Sequence, residues 1–281
     1  MTKTLLVTDS ASDIPQGASG ICVVPLEVTF GSDTFQDGVD LNHRQFYERL
    51  IESDQLPTTS MIPPARFAAA FEEGLAQADE LLVVTLSSKL SGTYESALAA
   101  AAVYPGRVHV VDSLNACIGE AVVVRRARQL LDEGMGAAAV AAQLQQERHQ
   151  VRLVALLGTL EYLRKGGRLN AAAAVMGEVL AIKPVISIEE GEVAVLGKAR
   201  GSKNGANLLK KQILAAGGVD FSRPYMVGYT GLSDGLLQKY IADHGDLWET
   251  ETHQLPQGSV GATIGTHVGP DAIAVAFFAQ D

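Results

Sequence analysis

Two cysteines in 281 residues, Cys22 and Cys117, are too few and too isolated for a disulfide framework, and neither sits in a zinc spacing. Both are expected to be buried free thiols. The six histidines, His43, His109, His149, His244, His253 and His267, form no i, i+4 pair and no flanking ligand set, so no metal site is expected. Positive charge is scarce as well: 22 Lys and Arg against 32 Asp and Glu leave a net charge of -10. That field repels polyanions, which argues against nucleic-acid binding and requires any anionic ligand to find a local cluster of donors. No stretch reaches the roughly 18 apolar residues of a membrane span, and the apolar part of MTKTLLVTDS is too short for a signal peptide. A soluble, cytoplasmic protein is expected. The P-loop, G-x-G-x-x-G and G-x-S-x-G signatures are all missing, which removes the usual nucleotide, dinucleotide and α/β-hydrolase sites.

What is there is a chain 47% hydrophobic and only 19% charged, long enough for two moderate cores. Its most informative stretch is LLVVTLSSKLSGTYES, residues 81–96. Leu81 to Val84 is the uninterrupted apolar run of a strand buried on both faces. Ser87, Ser88, Ser91 and Thr93 then crowd around Gly92 before a helical pattern begins, which makes Ser91 the expected N-cap, with Glu95 in the first turns. Free N–H groups at such a junction favour anions. A second hydroxyl pair, Thr59-Ser60, precedes Pro63-Pro64 and another helical pattern. The two helix starts converge on one oxyanion if the segments before them lie side by side in a sheet.

Taken in order, the chain opens with a strand at Thr4 to Thr8 ending in DSASDIP, polar residues at the strand end where open α/β sheets hold ligands. Short β runs follow at Val23 to Leu26 and Glu27 to Phe30, then GSDTFQDGVD, which lacks calcium-loop spacing and reads as loop. Asn42 and Gln45 spell a capping box for a helix through Ile51. Strands and helices then alternate to residue 150: helix from Phe67, strand from Leu81, helix Thr93 to Ala102, strand Val108 to Val111, helices Ala116 to Leu131 and Gly136 to His149. This half reads as a parallel-sheet, Rossmann-like α/β domain, residues 1–150.

From Val151 the pattern changes. A strand to Leu157 leads to TLEYLRKGGRLN, an Ala-rich helix, and a hairpin around Glu190-Gly191. Helix Gly205 to Ala215, strand Tyr225 to Tyr229, helix Ser233 to Ala242, strand Glu249 to Gln254 and strand Ala272 to Phe278 complete an α+β domain, residues 151–281. Against so few cations, Arg164, Lys165 and Arg168 around Gly166-Gly167 stand out, although a basic turn after a short helix gives the same pattern. His267 falls in GTHVGPDAI, read as a Gly/Pro-lined turn before the last strand. A nucleophilic Ser91 has only His267, far along the chain, as its base, so a Ser/His-dependent acyl or phosphoryl hydrolase is the alternative from another class.

Together MTKTLLVTDSASDIP, VVPLEVTFG, PTTSMIPP, SSKLSGTYESA, VVDSLNACIGEA, LEYLRKGGRL, KPVISIEEGEV and GTHVGPDAI resemble, in order and spacing, the DegV family of bacterial fatty-acid-binding proteins over essentially the whole chain. The resemblance implies a two-domain protein that buries one fatty acid such as palmitate, with no cofactor and no catalysis of its own. It implies that Thr59, Ser91 and His267 hold the carboxylate, with Ser60 and Gly92 beside them. It also implies that Arg164, Lys165 and Arg168 lie near the head group or dock a partner. In the family that partner is an ATP-dependent fatty acid kinase subunit, which converts the bound acid to an acyl phosphate; transient membrane contact is compatible with such a role. Two departures stand out: Met61-Ile62 sit where the family often has a polar residue before its Pro, at the expected pocket mouth, and Asn115-Ala116-Cys117 replace a more usual Ser-bearing turn. The physics is consistent, because about fifteen tail carbons at roughly 0.8 kcal/mol each supply affinity and leave the head group needing only hydrogen bonds.

Overall fold

A computed structural model describes residues 2–169, 182–248 and 254–280. Leu81 to Val84 are fully buried, as the apolar run requires, because β6 (Glu80–Thr85) lies inside a parallel sheet with helices on both faces. That sheet has the order β2-β1-β6-β7, with β1 Thr4–Asp9, β2 Ile21–Val24 and β7 Val108–Asp112. Helices α2 (Pro64–Leu75) and α3 (Thr93–Ala101) cover one face; α4 (Ile118–Asp132) and α5 (Ala137–Glu147) cover the other.

A second sheet of six strands runs β10-β9-β8-β13-β11-β12. Its strands are β8 Val151–Leu156, β9 Ile182–Glu189, β10 Glu192–Arg200, β11 Tyr225–Tyr229, β12 Gln257–Ser259 and β13 Ile273–Phe278. All neighbours are antiparallel except β11 and β12. Its outer face carries α7 (Ser202–Ala215) and α8 (Gly235–Asp243) over a core of Leu209, Ile213, Leu237, Tyr240 and Phe277. Its inner face packs on α4, which therefore touches both sheets. One apolar cluster runs from Leu6 and Leu82 through Val122 to Leu153, Ile186 and Ala274. The mixed α/β, two-sheet architecture agrees with the expectation from sequence.

A third, three-stranded antiparallel sheet has the order β4-β3-β5, with β3 Glu27–Phe30, β4 Asp33–Gln36 and β5 Thr58–Ser60. The expected loop in GSDTFQDGVD is therefore half strand: Val28 pairs with Phe35 and Thr29 with Thr34, and Gly31, at φ 59°, makes the tight turn between them. Under this sheet lie α1 (His43–Glu52) and α9 (Ala262–Val268), joined by Val28, Phe46, Tyr47 and Ala262. The Asn42/Gln45 capping box is present.

Three other expectations change. Ser91 is not the N-cap of α3: Gly92, one residue later, occupies that position, while Ser91 Oγ accepts from the Thr93 N–H at 3.3 Å. Thr59 and Ser60 lie in β5 rather than in a helix lead-in. His267 lies in the last turn of α9 rather than in a Gly/Pro turn. The Ala-rich helix after Leu169 and most of the strand expected at Glu249 to Gln254 fall outside the described residues, and the nearby edge strand is β12. Among the described residues no helix is long and apolar enough to cross a membrane.

Candidate functional site

Between the inner face of the six-stranded sheet and the elements opposite it runs a narrow channel, with about 910 Å³ of empty space counted out through its mouth into open solvent. Its floor is made by alternate residues of neighbouring strands: Ala272 and Ala274 of the β13 arm, Leu153 and Ala155 of β8, Ile186 and Ile188 of β9, and Gly228 of β11. Alanine and glycine at these positions leave the volume that larger side chains fill elsewhere in the core.

The polar wall comes from four separate parts of the chain: Thr59 and Ser60 of β5, Ser91 before α3, Arg168 after α6 (Glu161–Lys165), and His267 of α9. Thr59 Oγ1 and His267 Nε2 are hydrogen-bonded at 2.8 Å. Arg168 donates from Nε to the Leu90 carbonyl at 3.2 Å and from Nη1 to the Gly166 carbonyl at 2.6 Å, so its guanidinium is fixed between the Ser91 turn and the His267 ring. Gly166 is required there, since a Cβ on it would lie 2.3 Å from His267 Nδ1. Burial, and then the charge of Arg168, push the His267 imidazole down to a pKa of about 4, so the ring is neutral at pH 7. Ser91 Oγ lies 2.9 Å from Thr93 Oγ1.

The two hydroxyl segments do not meet by lying side by side in one sheet, because Thr59 belongs to the three-stranded sheet and Ser91 follows a strand of the parallel one. They meet across a gap between sheets. Gly92 does not line the channel; it gives Met61 room, since a Cβ on it would lie 2.6 Å from the Met61 sulfur. Met61 itself lines the channel while 55% exposed, which places it at the mouth. Of the basic segment only Arg168 reaches the wall: Lys165 pairs with Glu161 on the outer face of α6, and Arg164 is exposed.

Several lining residues escaped the reading of motifs. Thr263 and Ile264 stand one turn before His267 and Val268 on the same helix face, and helical spacing would have found them had α9 been recognised. The alternation of alanine in DAIAVAFF, with Ala272 and Ala274 on the channel side, was a legible sign of reserved space. Conversely, the DSASDIP carboxylates do not line the channel. Asp9 is fully buried and accepts from the Ala11 and Leu86 N–H groups at 3.0 and 2.9 Å. Among the described residues no group of three or more His, Cys, Asp or Glu side chains could hold a metal ion.

The profile of the family described as an uncharacterised protein, DegV family, matches residues 3–280. The chain belongs to the DegV family. A DegV domain-containing protein of Caldanaerobacter subterraneus subsp. tengcongensis is 33% identical over 282 residues, covering 99% of each chain. Among solved structures, a DegV family protein from Thermus thermophilus, described for its fatty acid binding, is 33% identical with a TM-score of 0.87 over 99% of this chain and 100% of that one. The Streptococcus pneumoniae fatty acid kinase B3 protein loaded with linoleic acid shares the fold over the full length of both chains, at a TM-score of 0.83 and 22% identity. The mixed sheets and the separate four-stranded parallel sheet described above are thus the DegV fold.

Proposed function

We propose that this DegV protein binds one long-chain fatty acid in the channel and presents its carboxylate to a separate ATP-dependent kinase subunit. The observation that carries this reading is the combination of a narrow apolar channel with a neutral donor group at its polar wall, where Thr59, Ser60, Ser91 and His267 are joined by one arginine. The Thermus thermophilus relative, described for fatty acid binding, supports the ligand class. A carboxylate there receives hydrogen bonds from hydroxyls, with Arg168 supplying charge beside them. Because most donors are neutral, an oxygen can exchange partners during acyl-phosphate formation at lower cost than from a buried ion pair. The kinase partnership rests on the likeness of fold to the fatty acid kinase B3 protein. Of the basic segment, Arg168 belongs beside the head group in this reading, whereas Arg164 and Lys165 face outward where a partner docks.

The hydrolase alternative loses ground on geometry. His267 bonds Thr59 rather than Ser91, its Nδ1 has no orienting carboxylate among the described residues, and a pKa of about 4 makes it a poor base at neutral pH. Native mass spectrometry of the protein purified from a bacterial host tests the proposal: one co-purified fatty acid per chain is expected. An empty channel that also fails to take up palmitate after delipidation refutes it.

A further inference from the structure

Helix α9 carries His267 in its last turn, and both of its ends are fastened to the same small sheet. At the C-terminal end, His267 Nε2 meets Thr59 Oγ1 of β5. At the N-terminal end, the N–H groups of Ala262 and Thr263 donate to Asp37 Oδ1 and Oδ2, each at 3.0 Å. Asp37 directly follows β4, the edge strand on the other side of β3 from β5. Its own N–H donates to the Leu26 carbonyl at 3.0 Å, which fixes its backbone to a residue of the channel wall. Asp13 completes the fastening, with Oδ1 accepting from the Gly261 N–H at 2.7 Å.

A helix of seven residues has too few internal hydrogen bonds to hold its own position, and its first N–H groups need outside acceptors. A single Ser or Asn would cap them at less cost than a carboxylate that is only 4% exposed. What two oxygens of one rigidly held carboxylate add is direction: they fix both the rotation and the axial position of the helix. The fit is close, since a Cβ on Gly261 would lie 3.1 Å from Asp37 Oδ1 and 3.3 Å from Asp13 Oδ1. A slide of α9 by about 1 Å carries the imidazole out of hydrogen-bond range of Thr59.

We infer that Asp37 is a positioning residue for the carboxylate site, acting through α9 to set His267 against Thr59. This rests on the fatty-acid reading of the channel. Asp37 does not itself line the channel; it acts on it through the Thr263 N–H and the Leu26 carbonyl, so its effect falls first on the helix that carries His267.

The test uses the full, delipidated chain and two variants: Asp37→Asn, which turns one acceptor into a donor facing a helix N–H, and Asp37→Ser, which keeps a single acceptor. Affinities are measured for palmitate and for hexadecanol, which has the same tail without the carboxylate, alongside melting temperature and the imidazole NMR signals of His267. The expected result is a loss of about tenfold for palmitate, a change within about twofold for hexadecanol, and a His267 pKa displaced from that of the wild type. Equal losses on both ligands, unchanged palmitate affinity, or failure of both variants to fold assigns Asp37 to stability alone and overturns the inference. Wild-type protein that takes up neither ligand refutes the fatty-acid reading instead. The His267 signal then still decides the inference, since an unmoved pKa in a folded variant overturns it.

Discussion

His267 is asked to do two things that ordinary histidines do not combine: to stay uncharged at neutral pH and to sit beside an arginine. Burial supplies the first, and the fixed guanidinium of Arg168 reinforces it by making a second positive charge costly. Arg168→Ala should therefore raise the His267 pKa above about 4, read from the imidazole NMR signal across a pH series. A pKa that stays put would show that burial alone sets it. At the same scale, Thr59→Ala and Ser91→Ala should each weaken palmitate binding by about 1 to 2 kcal/mol, or roughly 5- to 30-fold, through loss of one charge-assisted hydrogen bond. Isothermal titration reads this directly, and unchanged affinity in the double variant removes both hydroxyls from the site.

At the scale of elements, the site depends on how closely α9 approaches α1. Gly265 makes that approach: a Cβ there would lie 2.4 Å from the Phe46 ring and 2.7 Å from Tyr47 Oη. Tyr47 Oη in turn donates to the Val260 carbonyl at 3.2 Å, and His43 Nδ1 lies 2.9 Å from the same oxygen, so α1 grips the segment entering α9. Gly265→Ala should cost about 1 to 3 kcal/mol in denaturant unfolding, as overpacking of a tight contact does. It should also weaken palmitate binding, because the displaced helix carries His267. Stability equal to wild type would mean that the α1/α9 contact yields more readily than its geometry implies.

For the whole molecule, buried carboxylates set the pH response. Burial pushes Asp9 up to about 7 and Asp13 up to about 8, and it raises Asp37 and Glu120 as well. Folded Asp9 and Asp13 therefore retain protons at pH values where the unfolded chain, with pKa values near 3.8, has released them. Their contribution to stability is therefore greatest at low pH and is lost as pH rises through about 7 to 8. His267 works the other way, since its depressed pKa costs stability only as pH falls from 6.5 towards about 4. The melting temperature should be higher at pH 6.5 than at pH 8.5; the reverse order would mean that these acids are ionised in the folded protein. The division of the chain near residue 150 separates the two large sheets in sequence, yet α4 packs on both and one apolar cluster spans them. A single calorimetric transition is the expected outcome, and two resolved transitions would restore two independent folding units.

Local chemistry was enough to mark most elements. The apolar run at Leu81 to Val84, the Asn42/Gln45 box and the Glu190-Gly191 hairpin each carry their own instruction, because burial on both faces, capping and tight turns are decided within a few residues. The residues of the polar wall were legible as chemistry too, through scarce cations and clustered hydroxyls. Their meeting was not. Thr59 and His267 are 208 positions apart and touch only because a third sheet, one strand of which reads as loop, packs over α1 and α9. The same holds for Gly92, whose neighbour Met61 directly follows β5, and for Asp37, which looks like a loop acid until the helix it holds is in place. Sequence by itself determined where most strands and helices lie and which side chains carry hydrogen-bonding chemistry. Only the tertiary structure decided which of those groups face one another, because that depends on packing between distant segments and on no pattern within any one of them.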